Sequence, residues 1–382
     1  MHEAHLHIVS FTVPYPPNYG GVIDVFYKIR ALHAEGVRIH LHCFTYDREP
    51  SPELEALCFE VHYYTRKTGL RSALHWKPYI VYSRRSSQLI EYLLMDDYPI
   101  LFEGLHSCLY LSHEKLKDRI RIYRESNIEH NYYFHLSKAE KNILKKLYYI
   151  LSGMKLRAFQ PVLRHSTMML TVSREDNDYL SRKFPSVEVR YLPSFHNNDE
   201  VEILPGRGDY ALYHGNLSVA ENVKAVEYLV KKVLPGTGIR LVVAGLNPAP
   251  ALVKLAGKYT GIELVPNPTD AAMDKLIRNA QVNIMITFQP TGLKLKLLNA
   301  LFAGRYCLVN PAMVAGTDLG QLCEVAESNG QLRETLMALM QARFSEAEIV
   351  ARKVKLLQLH SNSRNCKTLL DLLYLHPTYE NS

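Results

Sequence analysis

The chain has 382 residues, with 45 lysines and arginines against 38 aspartates and glutamates, a formal net charge of +7. That length exceeds the roughly 250–300 residues one core organises, so two domains are expected. Hydrophobic residues at 47% and charged residues at 22% exclude a disordered or collagenous chain, and so mild a surplus lacks the dense basic face of a nucleic-acid-binding domain.

In chain order, short apolar runs read as strands at residues 5–11, 37–44, 59–64, 100–103, 119–124, 166–172 and 187–192. Helical patterns such as 22–34, 86–95 and 173–183 fall between them. Strand alternating with helix is the signature of parallel βαβ units in a doubly wound sheet. Residues 197–209 are polar and acidic, carry Pro205, Gly206 and Gly208, and read as a linker. The pattern then restarts, with strands at 210–214, 240–244, 262–265, 282–287 and 306–309 and helices at 222–233, 251–259, 270–280 and 293–303. The expected fold is α/β: two tandem doubly wound (Rossmann-like) domains, residues 1–196 and 197–359, facing across a cleft. Ligands of open α/β sheets bind beyond the carboxyl ends of the strands, so the cleft is the expected site.

The first strand runs through a proline-rich turn to Gly20 and Gly21, where a helix begins. Glycines there let backbone N–H groups approach a ligand, and a helix N-terminus favours an anion. The same residues also read as a stiff loop with a glycine cap. Asp24 is placed in the first helical turn, where a carboxylate complements the macrodipole. Glu103 and His106 follow one strand end, and Arg124, Asn127, Glu129 and His130 follow another. Neighbouring parallel strand ends converge, so Glu103, His106, Glu129 and His130 are expected at one edge, where carboxylates and imidazoles suit proton transfer and hydroxyl binding. The plainer reading is local capping and pairing. Asp176-Asn177-Asp178 follows Ser173, an expected N-cap, so it reads as helix-start charge and not as a metal motif. His40 and His42 alternate along a strand, and His2, His5 and His7 lie near the terminus, without closed zinc-ligand spacing.

In the second domain Gly215 and Asn216 end a strand, and Gly292, Lys294, Lys296 and Asn299 fall on a glycine-led helix start. Backbone N–H groups with ammonium charge can hold a diphosphate there, whereas lysines opposing the macrodipole have no structural benefit.

Taken in order, these motifs resemble the retaining glycosyltransferases of the GT-B fold, family four, and the likeness spans nearly the whole chain. It rests on the Gly20-Gly21 turn, Glu103-Gly104-Leu105-His106, Asn127-Ile128-Glu129-His130, His214-Gly215-Asn216-Leu217-Ser218 with Asn222, and Gly292 to Lys296 and Asn299. The resemblance implies metal-independent sugar transfer from a nucleotide-diphosphate sugar, a co-substrate with no further cofactor, in bacterial surface-polysaccharide assembly. The donor would lie by Gly215, Asn216, Gly292, Lys294, Lys296 and Asn299, and a saccharide or lipid-linked acceptor by Gly20, Gly21, Asp24, Arg124 and Asn127. His130, His106, Glu129 and Glu103 would be the catalytic set, and a last helix over about 360–382 would pack back on the first domain. Where that family often carries two glutamates, this chain has Thr291 and Asn299. The alternative reading is therefore a non-catalytic glycosyltransferase-like binding subunit of a glycan-assembly complex.

Six cysteines without a C-x-x-C pair fit reduced thiols, and no apolar run reaches the roughly 18 residues of a membrane span. The start of the chain passes into a strand with no room for a signal peptide, so a cytoplasmic protein is expected. The segment from Lys138 to Phe159 has apolar residues at helical spacing and a stripe formed by Lys138, Lys141 and Lys145. It reads either as a helix packed inside its domain, interrupted at Gly153, or as a peripheral contact with an anionic membrane at the inner face. The stretch from Lys115 to Arg164 holds twelve basic and four acidic residues, so the chain's whole positive surplus falls there.

Overall fold

The computed structural model describes residues 3–140, 142–288 and 295–374, and the chain divides into two compact units. The first comprises residues 1–196 and 362–382, the second residues 197–361.

Seven parallel strands build the first unit: β1 (His5–Val9), β2 (Arg38–Thr45), β3 (Glu60–Thr65), β4 (Ile100–Glu103), β5 (Arg121–Glu125), β6 (Met168–Thr171) and β7 (Glu188–Tyr191). Their order is β3-β2-β1-β4-β5-β6-β7, so the winding direction reverses between β1 and β4. Among its helices are α1 (Gly20–Ala34), α2 (Leu70–Leu74), α3 (Glu129–Ala139), α4 (Ile143–Phe159) and α5 (Arg174–Lys183). Leu6, Ile8, Ile39, Leu41 and Leu101 point from one sheet face into a core shared with Val25, Ile29 and Leu32 of α1. Val9, Phe44, Tyr64 and Phe102 point from the other face into a second core that contains Leu156 and Leu180. A parallel sheet covered on both faces explains why its central strands are buried along their length.

The start of that second face is not apolar. Successive side chains alternate between faces, so His5 and His7 on β1 lie beside His40 and His42 on β2 and His62 on β3. His5 Nδ1 meets His40 Nε2 at 2.9 Å, and His7 Nδ1 meets His42 Nε2 at 2.8 Å. Asp96 accepts from His7 at 3.0 Å, Glu60 pairs with His40 and with His62, and the Tyr64 hydroxyl bonds His42 Nδ1 at 2.8 Å. The histidines of β1 and β2 are thus hydrogen-bonded in pairs, Glu60 and Tyr64 carry the ladder to β3, and the His62 ring stacks on His42 at 5.0 Å, a relation invisible in their spacing along the chain.

Six parallel strands build the second unit: β8 (Ala211–Asn216), β9 (Leu241–Leu246), β10 (Ile262–Pro266), β11 (Val282–Met285), β12 (Tyr306–Val309) and β13 (Glu324–Val325). The order β10-β9-β8-β11-β12-β13 reverses between β8 and β11. Two helices matter for its site: α6 (Ala220–Tyr228), which runs on into a π turn at Leu229–Val233, and α7 (Leu295–Ala303).

Three expectations need correction. Residues 197–209 are not a free linker: Gly206 exchanges backbone hydrogen bonds with Phe344 at 2.8 and 2.9 Å, and Ile203 enters the second unit's core. The segment from Lys138 to Phe159 is not one helix, because α3 ends at Ala139 and α4 starts at Ile143 under an Asn142 cap. Gly153 does not interrupt α4 either. A Cβ there would come within 2.7 Å of the Phe134 ring, so the glycine lets α3 and α4 pack closely. After the second unit the chain returns to the first as α8 (Asn362–Tyr374), which buries Cys366, Leu369 and Leu373 against the α1 side of the sheet. Asn362 clasps the His196 backbone, donating to its carbonyl at 2.7 Å and accepting from its N–H at 3.1 Å. The expected helix beyond residue 374 lies outside the described residues.

Candidate active site

Both winding reversals put loops at carboxyl strand ends, where an open α/β sheet receives its ligand. In the first unit these are the loops after β1 and β4. Arg48 holds the proline-rich turn after β1 through the Pro16 carbonyl at 2.7 Å and lies over the Tyr19 ring at 5.0 Å. Tyr19 is an extended N-cap whose side chain makes no capping bond, which leaves the α1 N-terminus to its backbone. A Cβ on Gly21 would sit 2.9 Å from the tip of the Phe11 ring, so a larger residue there would displace that ring. The Phe11 ring in turn faces the His106 ring, 5.4 Å away.

Two of the four expected catalytic groups meet here. His106 Nδ1 lies 3.6 Å from Glu129 Oε1, too long for a hydrogen bond, and that nitrogen has no partner among the described residues. Burial, reinforced by the charges of Arg84 and Arg66, holds the His106 imidazole well below its usual pKa, so it is neutral at pH 7. Burial pushes the Glu129 carboxyl up to about 8 in spite of Arg84. An acid and a neutral imidazole side by side are suited to bind hydroxyls and to exchange a proton.

The other two are elsewhere. Glu103 accepts from Lys28 Nζ at 2.6 Å in a buried cluster with Asp24 and Arg124. Lys28 also bonds Asp24 at 3.0 Å, and the Arg124 guanidinium reaches both Asp24 carboxylate oxygens at 3.1 and 3.2 Å. Burial alone would raise the Asp24 pKa, but Arg124 and Lys28 hold its carboxyl well below the usual carboxylate range. Asp24 further accepts the Phe195 N–H at 2.8 Å, and Arg124 donates to the Leu192 carbonyl at 2.7 Å. Asp24, Arg124 and Glu103 therefore join α1, β4, β5 and the chain after β7, in a buried cluster of mutual bonds apart from His106 and Glu129. Asp24 also sits beyond the first turn of α1, so helix-end complementarity is not its role. His130 turns to Phe134 and Tyr179, each ring 6.2 Å away, and burial lowers its pKa to about 4. Half-buried Asn127 donates its backbone N–H to Glu125 at 3.0 Å.

Sequence reasoning missed Arg84. It is buried, with Nε donating to the Phe11 carbonyl at 2.6 Å and a further bond to the Ile80 carbonyl. No carboxylate pairs with it among the described residues. Nothing in its local sequence marks it, because its partner Phe11 comes from the turn after β1.

In the second unit the corresponding loops follow β8 and β11. Asn222, in the first turn of α6, is the hub. Its Nδ2 donates to the Asn216 carbonyl at 2.8 Å, and its Oδ1 accepts from the Tyr213 hydroxyl at 2.8 Å and from Lys296 Nζ at 3.3 Å. The Lys296 ammonium also stands over the Tyr213 ring at 5.1 Å. Burial, with Lys296 adding to it, lowers the neighbouring His214 to about 3. Asn216 Oδ1 accepts from the Ser218 N–H at 3.1 Å and hydroxyl at 2.7 Å, shaping the turn. Gly245 is needed beside it, since a Cβ there would fall 1.7 Å from the Gly215 carbonyl oxygen. Glu221 bonds the Thr287 hydroxyl and accepts the Phe288 N–H at 3.2 Å, which ties the two loops together. Gly215, Asn216 and Lys296 are thus one cluster at the end of β8. Asn299 lies apart from it and accepts from Asn198 Nδ2 at 2.8 Å. Gly292 and Lys294, like Lys141, Thr291 and His2, lie outside the described residues.

The exposed surface of α4 is apolar as well as charged, with Lys145, Lys146 and Arg157 also open to solvent. Ile143, Leu147, Leu151 and Met154 form an outward ridge, while Gly153, Leu156 and Phe159 face the unit. Of the basic residues between Lys115 and Arg164, Arg119, Arg121 and Arg124 are committed internally, to Asp96 and backbone carbonyls, to the Leu111 and Lys117 carbonyls, and to Asp24. The surplus therefore does not form one continuous docking face. No described helix is long and apolar enough to cross a membrane.

No protein-family model matches the sequence. An uncharacterised 44.6 kDa protein of the cps region of Klebsiella pneumoniae is 27% identical over 321 residues, covering 78% of this chain and 80% of that one. Among solved structures, HepE of Anabaena, determined with UDP and glucose, aligns at a TM-score of 0.63 and 10% identity, over 97% of this chain and 99% of that one. A UDP-forming trehalose-phosphate synthase of Burkholderia vietnamiensis aligns at 0.62 and 12% identity over 98% of both chains. WaaG, a glycosyltransferase of lipopolysaccharide biosynthesis, aligns at 0.59 and 12% identity over 97% of this chain and 100% of that one. The chain has the GT-B fold of these glycosyltransferases.

Proposed function

We propose that the protein is a glycosyltransferase that moves a sugar from a nucleotide-diphosphate donor to a saccharide or lipid-linked acceptor in surface-glycan biosynthesis, with retention and without a metal ion. The observation that carries this reading is the Lys296–Asn222 hub at the end of β8, in a chain that aligns with nucleotide-sugar transferases over almost its full length. The Lys296 ammonium and the uncapped N–H groups at the start of α6 hold the diphosphate and offset the charge that grows on it as its bond to the sugar breaks. Such fixed donors do the work a divalent cation does in other transferases.

In the first unit, neutral His106 accepts the hydrogen bond of the attacking hydroxyl and Glu129, protonated below about pH 8, donates to another acceptor oxygen. The bond from the anomeric carbon to the diphosphate breaks, the bond to the acceptor oxygen forms, and the hydroxyl proton leaves with the departing phosphate. The protein works in the cytoplasm, peripheral to the inner membrane face, with the Lys138 to Phe159 segment as its contact. The homologue from a cps region supports a place in capsule-type assembly.

A thermal-shift screen against UDP-, GDP- and dTDP-sugars tests the donor role, since a ligand that binds only the folded state raises the melting temperature. At least one donor should stabilise the protein, and Lys296→Ala should abolish that shift while leaving the ligand-free melting temperature within a few degrees. If no donor shifts the protein, the reading fails. A donor shift without transfer to any acceptor would favour a non-catalytic binding subunit.

A further inference from the structure

The first unit carries two exposed apolar elements that are far apart in sequence. On α4, Ile143 and Leu144 are 79% and 78% exposed, and the ridge continues through Leu147, Leu151 and Met154. Positions three and four apart lie on one helix face, so this is a continuous stripe along the helix. On and after α2, Leu70, Leu74 and Trp76 are 80%, 83% and 71% exposed. The two elements adjoin: Lys155 of α4 donates to the His75 carbonyl at 2.9 Å, directly before Trp76. His75 is fixed by stacking on Tyr82 with ring centres 3.5 Å apart, so Trp76 projects from an anchored turn. Monomeric proteins rarely leave so many large apolar side chains together in water.

Charge says what covers them. Residues 67–77 and 142–159 together contain seven lysines and arginines and no acidic residue. Lys67, Arg71, Lys145, Lys146 and Arg157 are exposed, and Lys77 lies over the Trp76 ring at 5.5 Å. A second copy meeting this face by its own would set the two positive sets against each other, which disfavours a dimer. Apolar ridges flanked by cations and carrying an outward tryptophan match the headgroup boundary of a negatively charged bilayer, where indole and leucine insert and lysines meet phosphates.

We propose that α4 and the Leu70–Trp76 segment form a single two-part docking face for an anionic bilayer surface, with Trp76 and Leu74 as its second anchor. This deepens, and rests on, the reading of a transferase that works on acceptors at a membrane. It also replaces the lysine stripe by an apolar ridge as the inserting surface and adds an element that α4 alone does not predict. Two anchors define an orientation, whereas one helix leaves the protein free to roll about its axis.

The test is co-sedimentation of the full chain with phosphatidylcholine vesicles and with vesicles that also contain phosphatidylglycerol. The wild-type protein should sediment with the anionic vesicles and not the neutral ones, and added salt should release it. Leu74→Ser with Trp76→Ser, and separately Leu147→Ser with Leu151→Ser, should each weaken binding by about tenfold or more, in line with the loss of two buried apolar side chains. These positions are exposed, so both variants should keep the wild-type melting temperature. Undiminished binding of the Leu74/Trp76 variant would overturn the two-part face, and equal binding to neutral vesicles would overturn its anionic partner. A wild-type dimer in gel filtration that either variant dissociates would also overturn it, in favour of a second copy. Donor-induced thermal shifts on the same variants separate the two readings: loss of vesicle binding with the donor shift intact concerns docking alone, and absence of any donor shift in the wild-type protein sinks the transferase reading.

Discussion

Glu129 and Arg84 show how a single burial decision sets a residue's chemistry. The Glu129 carboxyl is buried beside a guanidinium, yet desolvation outweighs that attraction and raises its pKa to about 8. A carboxyl raised above its unfolded value holds its proton longer in the folded state. The folded state therefore loses stability as pH climbs from the unfolded value near 4.5 towards about 8, and the cost is complete above that. Glu129→Gln, which mimics the neutral acid, should be stabilising above pH 8 by about 1–3 kcal/mol. At pH 5 it should be nearly neutral, and thermal melts at the two pH values check this. In the wild type, transfer should fall on an alkaline limb near pH 8, which the glutamine variant should lack. The sequence marked Glu129 and His106, because both follow strand ends in recognisable loops. It gave no sign of Arg84, whose role depends on the Phe11 carbonyl 73 residues earlier in the chain, and it could not tell that Glu103 and Asp24 turn inward to Lys28 and Arg124.

Elements show the same division between what is periodic and what is relational. Strand β12 is expected and found at Tyr306–Val309, because a short apolar run between turn signals has one reading. The apolar stripe of α4 was equally plain, but periodicity gives a face and not its direction. Only the packing of Gly153 on Phe134 shows that the ridge points away from the unit. The histidine ladder is a further case, since its contacts need the adjacency of β1, β2 and β3. It faces Asp96, Glu60 and Arg119, with Tyr64, Tyr92 and Tyr98 packed around its rings. Burial lowers the pKa values of His5, His7 and His42 and neighbouring histidines add to this, while at His7 the Asp96 carboxylate opposes it. Groups whose folded pKa is depressed bind fewer protons in the folded state, so their contribution is intact above the unfolded value of about 6.5 and is lost as pH falls below it. The melting temperature should therefore drop steeply between pH 6.5 and 5. His42→Leu should flatten that slope, whatever it does to stability at pH 8, and calorimetry across this range is the measurement. An unchanged slope would mean that the ladder stays neutral without cost.

At the scale of the molecule, each sheet reverses its winding once, and the candidate groups gather at those two reversals. The expected tandem α/β pattern was legible because alternating strand and helix leaves few topologies open. The return of the last helix to the first unit was expected from the resemblance alone, since contact between residues 362–374 and α1 leaves no local trace in the sequence. α8 buries Cys366, Leu369 and Leu373 and caps the His196 backbone. A chain ending at residue 361 should therefore lose stability in the first unit by several kcal/mol, as the removal of three buried side chains implies. The donor-induced shift of the second unit should survive. Differential scanning calorimetry should resolve two transitions in the truncated protein, of which only the lower is insensitive to the nucleotide sugar.

That return of the chain also fixes an order of events during synthesis. The ribosome finishes all strands of the first sheet by residue 191, yet the helix that closes one of its two cores emerges only after the whole second unit. The amino-terminal unit, begun first, is the last to be sealed, and until then the α1 side of its sheet lacks the part of its cover that Cys366, Leu369 and Leu373 supply. Nascent chains leave that part of the apolar face open for the time it takes to translate residues 197–361, which makes it the surface on which a chaperone has the longest opportunity to act.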